Sequence, residues 1–198
     1  MILVGLTGGI AVGKSNVSKT FMKHNIPVID ADVLAREVVT PGSIGLDKII
    51  SHFGISYLNK DETLNRVKLG DLIFSNKNEL NWINNTLGPL IDELLFSKVE
   101  ALKDQGHSLA IYDAALIIEN GNADKYRPLI LVGCNKENQI LRLMMRNNFT
   151  LEQAKARINC QFSLEEKIKY ADYFIDTNNE IEKTIKKTES IISLLKQM

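Results

Sequence analysis

The chain has 198 residues, enough for one substantial domain or a core domain carrying insertions. With 44% hydrophobic residues, 24% charged residues and 4 prolines, it has the make-up of a folded globular protein and not of a disordered segment. Its 24 basic and 24 acidic residues cancel, which removes any bulk attraction to nucleic acid or anionic lipid.

In chain order, apolar runs alternate with longer amphipathic segments, the pattern of parallel α/β architecture. Ile2 to Thr7 is an apolar run that stops at Gly8-Gly9, a strand entering a turn. A helix is predicted from Lys14 to Asn25, then a short strand at Val28 and Ile29 that ends at Asp30-Ala31-Asp32. From about Ser43 to Gly106 the chain reads as helical throughout. Ile44, Leu46, Ile49, Ile50 and Phe53 fall near helical spacing, as do Leu69, Leu72, Ile73 and Phe74. Trp82 to Lys103 forms a long helical pattern in which Gly88-Pro89 predicts a kink or break. Further strands are predicted at Leu109–Tyr112, Leu129–Cys134 and Tyr173–Ile175, with a closing helix from Ile181 to Leu195. The expectation is a five-stranded parallel sheet covered by helices, plus a helical insertion.

Cys134 and Cys160 have no Cys or His neighbour at metal-ligand spacing and read as two reduced thiols. Met1 to Leu6 carries no basic export segment and is too short to span a membrane, so the expected location is the cytoplasm, with no membrane partner.

Directly after the first strand stand Gly8, Gly9, Ile10, Ala11, Val12, Gly13, Lys14 and Ser15, which match G-x-x-x-x-G-K-S/T at every fixed position. Glycines let the backbone wrap an anion and turn successive N–H groups inward. The following helix adds its positive N-terminal end. Lys14 supplies a mobile charge for the β- and γ-phosphates, and the Ser15 hydroxyl suits Mg²⁺. With glycine at about 7% of residues, a chance match in a chain of this length is on the order of one in a hundred. The loop therefore predicts a bound nucleotide with Mg²⁺, ATP if the chain is a kinase, and leaves the reaction open.

A GTPase switch is the first rival, since Asn135-Lys136-Glu137-Asn138 follows a strand. Guanine selection needs a carboxylate where Asn138 presents an amide. The switch also needs a glycine after an aspartate, but Asp113 is followed by Ala114, Ala115 and Leu116. A kinase instead needs a carboxylate near the attacking hydroxyl and cations for the transferred group. Asp30 and Asp32 follow the second strand, at the carboxyl edge where open parallel sheets bind ligands. Both need not face the site, and Asp30 has a second reading as a helix cap. Arg142 and Arg146 share one helical face. Alone they would read as a solvated face; after a kinase strand they read as the start of an arginine-bearing lid that keeps water from the donor.

The segments Gly5 to Ser15 and Val28 to Asp32 resemble the dephospho-CoA kinase family. The likeness continues through Asn81-Trp82, Pro89 to Ile91, Leu116 to Asn120, Arg142 with Arg146, Gln161, and Ala171 to Asp176. The resemblance implies transfer of the ATP γ-phosphoryl group to the 3′-hydroxyl of dephospho-CoA. It also implies a nucleotide-kinase core (about 1–35, 107–135 and 172–198), a helical acceptor-binding part (about 36–106) and a helical lid (about 136–171). By the same likeness Asp32 is the base or orienter of the 3′-hydroxyl, and Lys14, Arg142 and Arg146 are catalytic. Asn16 joins the phosphate loop in binding ATP and Asn178 lies by the adenine. Thr7, Arg66 and Pro89 stand on the acceptor side. The family pattern usually has Ser at Val12, Thr at Asn16, His at Gly88, Pro at Ala115 and Asp at Asn147. None of these departures touches Lys14, Ser15 or Asp32. A nucleoside or nucleotide monophosphate kinase and a nucleotide-binding regulator without turnover remain as alternatives. A monomer or small homo-oligomer is expected.

Overall fold

The computed structural model describes residues 1–198, except for the side chain of Phe74; that member of the helical pattern lies outside the described residues. The elements run β1 (Ile2–Gly8), α1 (Lys14–Lys23), β2 (Val28–Asp30), α2 (Ala31–Glu37), α3 (Ile44–Phe53), α4 (Arg66–Ser75) and α5 (Lys77–Asp104). They continue with β3 (Leu109–Asp113), β4 (Leu129–Gly133), α6 (Lys136–Asn147), α7 (Leu151–Asn159), α8 (Leu164–Ile168), β5 (Tyr173–Asp176) and α9 (Ile181–Leu195). The chain divides into two compact units, one of residues 1–30 with 102–198 and the other of residues 31–101.

The first unit is built on a five-stranded sheet in the order β2-β3-β1-β4-β5, with every pair parallel. Parallel strands flanked by helices bury both faces, and β3 and β4 are accordingly buried along their whole length. Because β1 is central, the turn after it opens at the carboxyl edge where the strand order reverses, the place at which such sheets bind ligands. Val17 and Phe21, four residues apart on α1, are fully buried in a core with Val4, Leu6, Ile111, Ile130, Ile175 and Ile191. Burial of each such side chain contributes about 1.5–3 kcal/mol, which fixes α1 and hence the turn that leads into it.

The second unit is helical, with Leu46, Ile49, Leu69, Ile83 and Leu87 in its core. Of the kink or break expected at Gly88-Pro89, the structure rules out the break, since α5 runs unbroken from Lys77 to Asp104 with Pro89 inside it. A proline deprives the carbonyl four residues earlier of its donor. Here that residue is Asn85, which is exposed along with Pro89, so water can serve the carbonyl. Buried Ile83, Leu87 and Leu95 hold the helix on both sides of the proline.

Candidate active site

The sheet geometry delivers Gly8 at the end of β1, and the next five residues turn back into α1. Within that turn Ala11 has φ 60° and Gly13 has φ 87°. Left-handed residues interleaved with ordinary ones point successive N–H groups into one hollow, the geometry of an anion-binding nest. At Gly13 an added Cβ would meet nothing closer than 3.8 Å, so the demand for glycine is set by backbone angle and not by space. Gly13 caps α1 without a side-chain hydrogen bond, so no side chain closes this positive helix end, and the Asn16 N–H turns back to the Gly13 carbonyl at 3.0 Å. Val12, where the family pattern has Ser, is 4% exposed and packs in the core, so its side chain faces away from the hollow.

Lys14 opens α1, and its ammonium forms an ion pair with Asp113 Oδ1. Asp113 ends β3, directly beside Leu6 of β1 and Asp30 of β2 in the sheet register. It is 6% exposed and also accepts the Ser18 hydroxyl at 2.5 Å. Sequence reasoning weighed Asp113 only against a GTPase switch and missed this role. The signal was present, since an aspartate closes an apolar strand at the edge that also carries the phosphate loop. Ser15 is exposed in the first turn of α1. Thr7 is fully buried, and its hydroxyl donates to the Ala115 carbonyl at 3.0 Å, tying β1 to the turn after β3.

On the other side of the loop, Arg142 of α6 donates from Nη2 to the Thr177 carbonyl at 2.6 Å and from Nη1 to Thr177 Oγ1 at 3.2 Å. The Thr177 hydroxyl in turn reaches the Val12 carbonyl at 2.6 Å. Gly13, Asn16, Arg142, Thr177, Asn179 and Ile181 line a cleft of about 300 Å³. Asn178 is not in that lining: its Oδ1 accepts from the Asn135 N–H at 2.8 Å and from Asn138 Nδ2 at 3.1 Å, which braces the start of α6. Cys134, the residue after β4, has its thiol pKa raised chiefly by burial, against the opposing pull of the Arg142 charge. Arg146 lies one turn further along α6, exposed, with its Nε donating to Asn147 Oδ1 at 2.9 Å.

The remaining predicted residues belong to the helical unit. Asp32 is exposed in the first turn of α2, so the Asp30-Ala31-Asp32 stretch is a strand end passing directly into a helix. Arg66 opens α4 and donates from Nη2 to the Ala35 carbonyl at 3.3 Å. Its pKa is lowered by burial and then by the neighbouring Arg36 charge, so two cations stand close together there. Pro89 is exposed on α5, beside a cleft of about 660 Å³ that includes His52 stacked on Trp82 with ring centroids 3.9 Å apart. Among the described residues no group of three or more His, Cys, Asp or Glu is arranged to hold a metal.

The family model for dephospho-CoA kinase matches residues 2–183. A dephospho-CoA kinase of Listeria monocytogenes is 40% identical over 189 residues, which cover 96% of this chain and 94% of the relative. A solved structure of dephospho-CoA kinase from Campylobacter jejuni superposes with a TM-score of 0.73 at 27% identity, covering 98% of this chain and 96% of that one. A crystal structure from Thermus thermophilus, at TM-score 0.84, 24% identity, and coverage of 98% and 97%, shares the fold. A likeness that runs from the phosphate loop to the last helix, in sequence and in fold, leaves one family: the chain belongs to the dephospho-CoA kinases.

Proposed function

We propose that the chain transfers the γ-phosphoryl group of ATP to the 3′-hydroxyl of dephospho-CoA, giving coenzyme A and ADP, the last step of coenzyme A synthesis. The observation that carries this reading is the nest from Gly8 to Ser15 at the carboxyl end of the central strand, with Lys14 held at its mouth by Asp113. In it the backbone N–H groups of Ala11 to Ser15 face the triphosphate, and Lys14 neutralises charge between the β- and γ-phosphates. Mg²⁺ prefers hard oxygen donors and keeps much of its shell as phosphate and water. The exposed Ser15 hydroxyl fits that need, and the metal, when bound, would neutralise charge on the phosphates.

The cleft between Gly13, Arg142 and Ile181 suits the adenine of ATP. Arg142 offers a flat cationic surface to a nucleobase, and Ile181 an apolar wall. Asn178 shapes this end indirectly, by bracing α6 through Asn135. Arg146, exposed one turn from Arg142, serves as the movable cation for the transferred group. Asp32, two residues beyond β2, takes or orients the proton of the acceptor hydroxyl. Arg66, in its pair with Arg36, and Pro89 serve acceptor binding, while Thr7 contributes by fixing the Ala115 turn. The free thiols Cys134 and Cys160 suit a reducing cytoplasm, and no helix is long and apolar enough to cross a membrane among the described residues.

A coupled ADP-release assay with dephospho-CoA, adenosine, AMP or no acceptor tests the reading. Turnover that depends on dephospho-CoA supports it. Turnover with AMP or adenosine instead would move the chain to the nucleotide or nucleoside kinases, and binding of ATP without turnover to the regulators.

A further inference from the structure

Each peptide group carries one donor and one acceptor that must find partners. In a loop that turns its amides toward an anion, the outward-facing groups lack a sheet or helix ladder, so something else must hold the loop in shape. At Ile10 both ends of the residue are taken by glutamines. Its N–H donates to Gln161 Oε1 at 2.8 Å, and its carbonyl accepts from Gln139 Nε2 at 2.7 Å. The chemistry fixes which amide atom faces which group, since only an oxygen can accept from the N–H and only an NH₂ can donate to the carbonyl. The same two side-chain atoms crowd the preceding residue. A Cβ on Gly9 would come within 2.8 Å of Gln139 Nε2 and 3.5 Å of Gln161 Oε1.

Both glutamines stand on stiff supports. Gln139 is in the first turns of α6, which Asn135 caps at the Asn138 N–H, 2.8 Å away. Gln161 follows α7, and the next residue, Phe162, donates its N–H to Glu119 Oε1 at 3.3 Å. Glu119 is itself in a buried ion pair with Lys167 of α8, 2.7 Å away. The two supports come from different helices of the segment 136–171, so movement of either one pulls on the loop.

We propose that Gln139 and Gln161 are positioning residues for ATP, clamping Ile10 from opposite ends and fixing the first turn of the phosphate loop. The inference rests on the nucleotide-binding reading of that loop and deepens it. The two amides work with opposite polarity, and this makes the test specific. Gln161→Glu keeps the acceptor that the Ile10 N–H needs, whereas Gln139→Glu removes the donor that its carbonyl needs. Both changes add the same charge against Gly9, so the effect of charge on ATP is common to the pair.

ATP affinity by titration calorimetry and KM for ATP should both be weaker in Gln139→Glu than in Gln161→Glu, by about 3- to 10-fold, the range of one hydrogen bond. KM for the acceptor should move alike in the two. Equal losses of ATP affinity would overturn the clamp. Hydrogen exchange at the Ile10 amide of the full chain gives a second readout that needs no nucleotide. Gln161→Ala should speed exchange there while Gln139→Ala leaves the N–H bond in place, and unchanged exchange in Gln161→Ala would equally overturn the proposal. A parent chain that binds no ATP would instead overturn the nucleotide reading, and the exchange measurement would still decide the clamp.

Discussion

The Lys14 ammonium and the Asp113 carboxylate meet at the carboxyl edge of the sheet, where Asp113 also takes the Ser18 hydroxyl. The lysine that is to grip a triphosphate is thus already held by a fixed anion, and phosphate and carboxylate compete for it. Asp113→Asn removes the competitor and the support together. ATP affinity should stay the same or rise, while kcat falls by on the order of 10², because the charge is no longer held where it develops in the transition state. Steady-state kinetics with a separate ATP titration checks both signs. Lys14→Ala should lower kcat/KM by on the order of 10²–10³, and near-parental turnover there would remove the loop from the chemistry.

Asp32 carries the proposed proton-handling role from the first turn of α2. Asp32→Asn keeps the shape and removes the base. Its kcat should fall by about 10²–10⁴, the usual worth of a positioned general base, with little change in ATP affinity. An equal loss in ATP affinity would make Asp32 a partner of the nucleotide, and the base would have to be sought elsewhere.

Glu119 and Lys167 form an ion pair with Lys167 only 2% exposed, and Glu119 Oε2 has no hydrogen-bond partner among the described residues. Removing one partner strands a buried charge, so Lys167→Met should cost about 3–5 kcal/mol of stability. Removing both should recover most of that loss, because the burial penalty of each ion disappears with it. Urea denaturation of Lys167→Met, Glu119→Gln and the double variant measures this, and strictly additive losses would contradict it.

The two thiols should react very differently. Cys160 is exposed, whereas Cys134 is 3% exposed and its pKa is raised above the ordinary 9.0, chiefly by burial. At neutral pH a thiol reagent should label one cysteine fast and the other slowly. A thiol whose folded pKa is raised favours the folded state below the ordinary value and loses that contribution as pH climbs through the raised one. The slow phase should therefore quicken, and stability decline, only above about pH 9. Equal rates at pH 7 would contradict the burial of Cys134.

Much of this was legible in the chain. The run Ile2 to Gly8 and the eight residues of the phosphate motif dictate a strand, a nest and a helix by composition alone, and the structure has them there. The five parallel strands followed from apolar runs of the right length. What could not be read from spacing was long-range pairing. Lys14 with Asp113 joins residues 99 positions apart, and Ile10 with Gln161 residues 151 apart. Nothing local in a glutamine announces that it will hold a backbone amide. The helix runs on through Pro89 for a related reason, since its local rule favours a kink or break and the buried residues on either side keep α5 whole.

The position of the transferred phosphoryl group tests the central claim most directly. With ATP labelled at the γ-phosphate, the label should pass to dephospho-CoA and be released from the product by an enzyme that removes ribose 3′-monophosphates. Label that appears as inorganic phosphate at the same rate without acceptor, or that passes to AMP or adenosine in preference to dephospho-CoA, would contradict it.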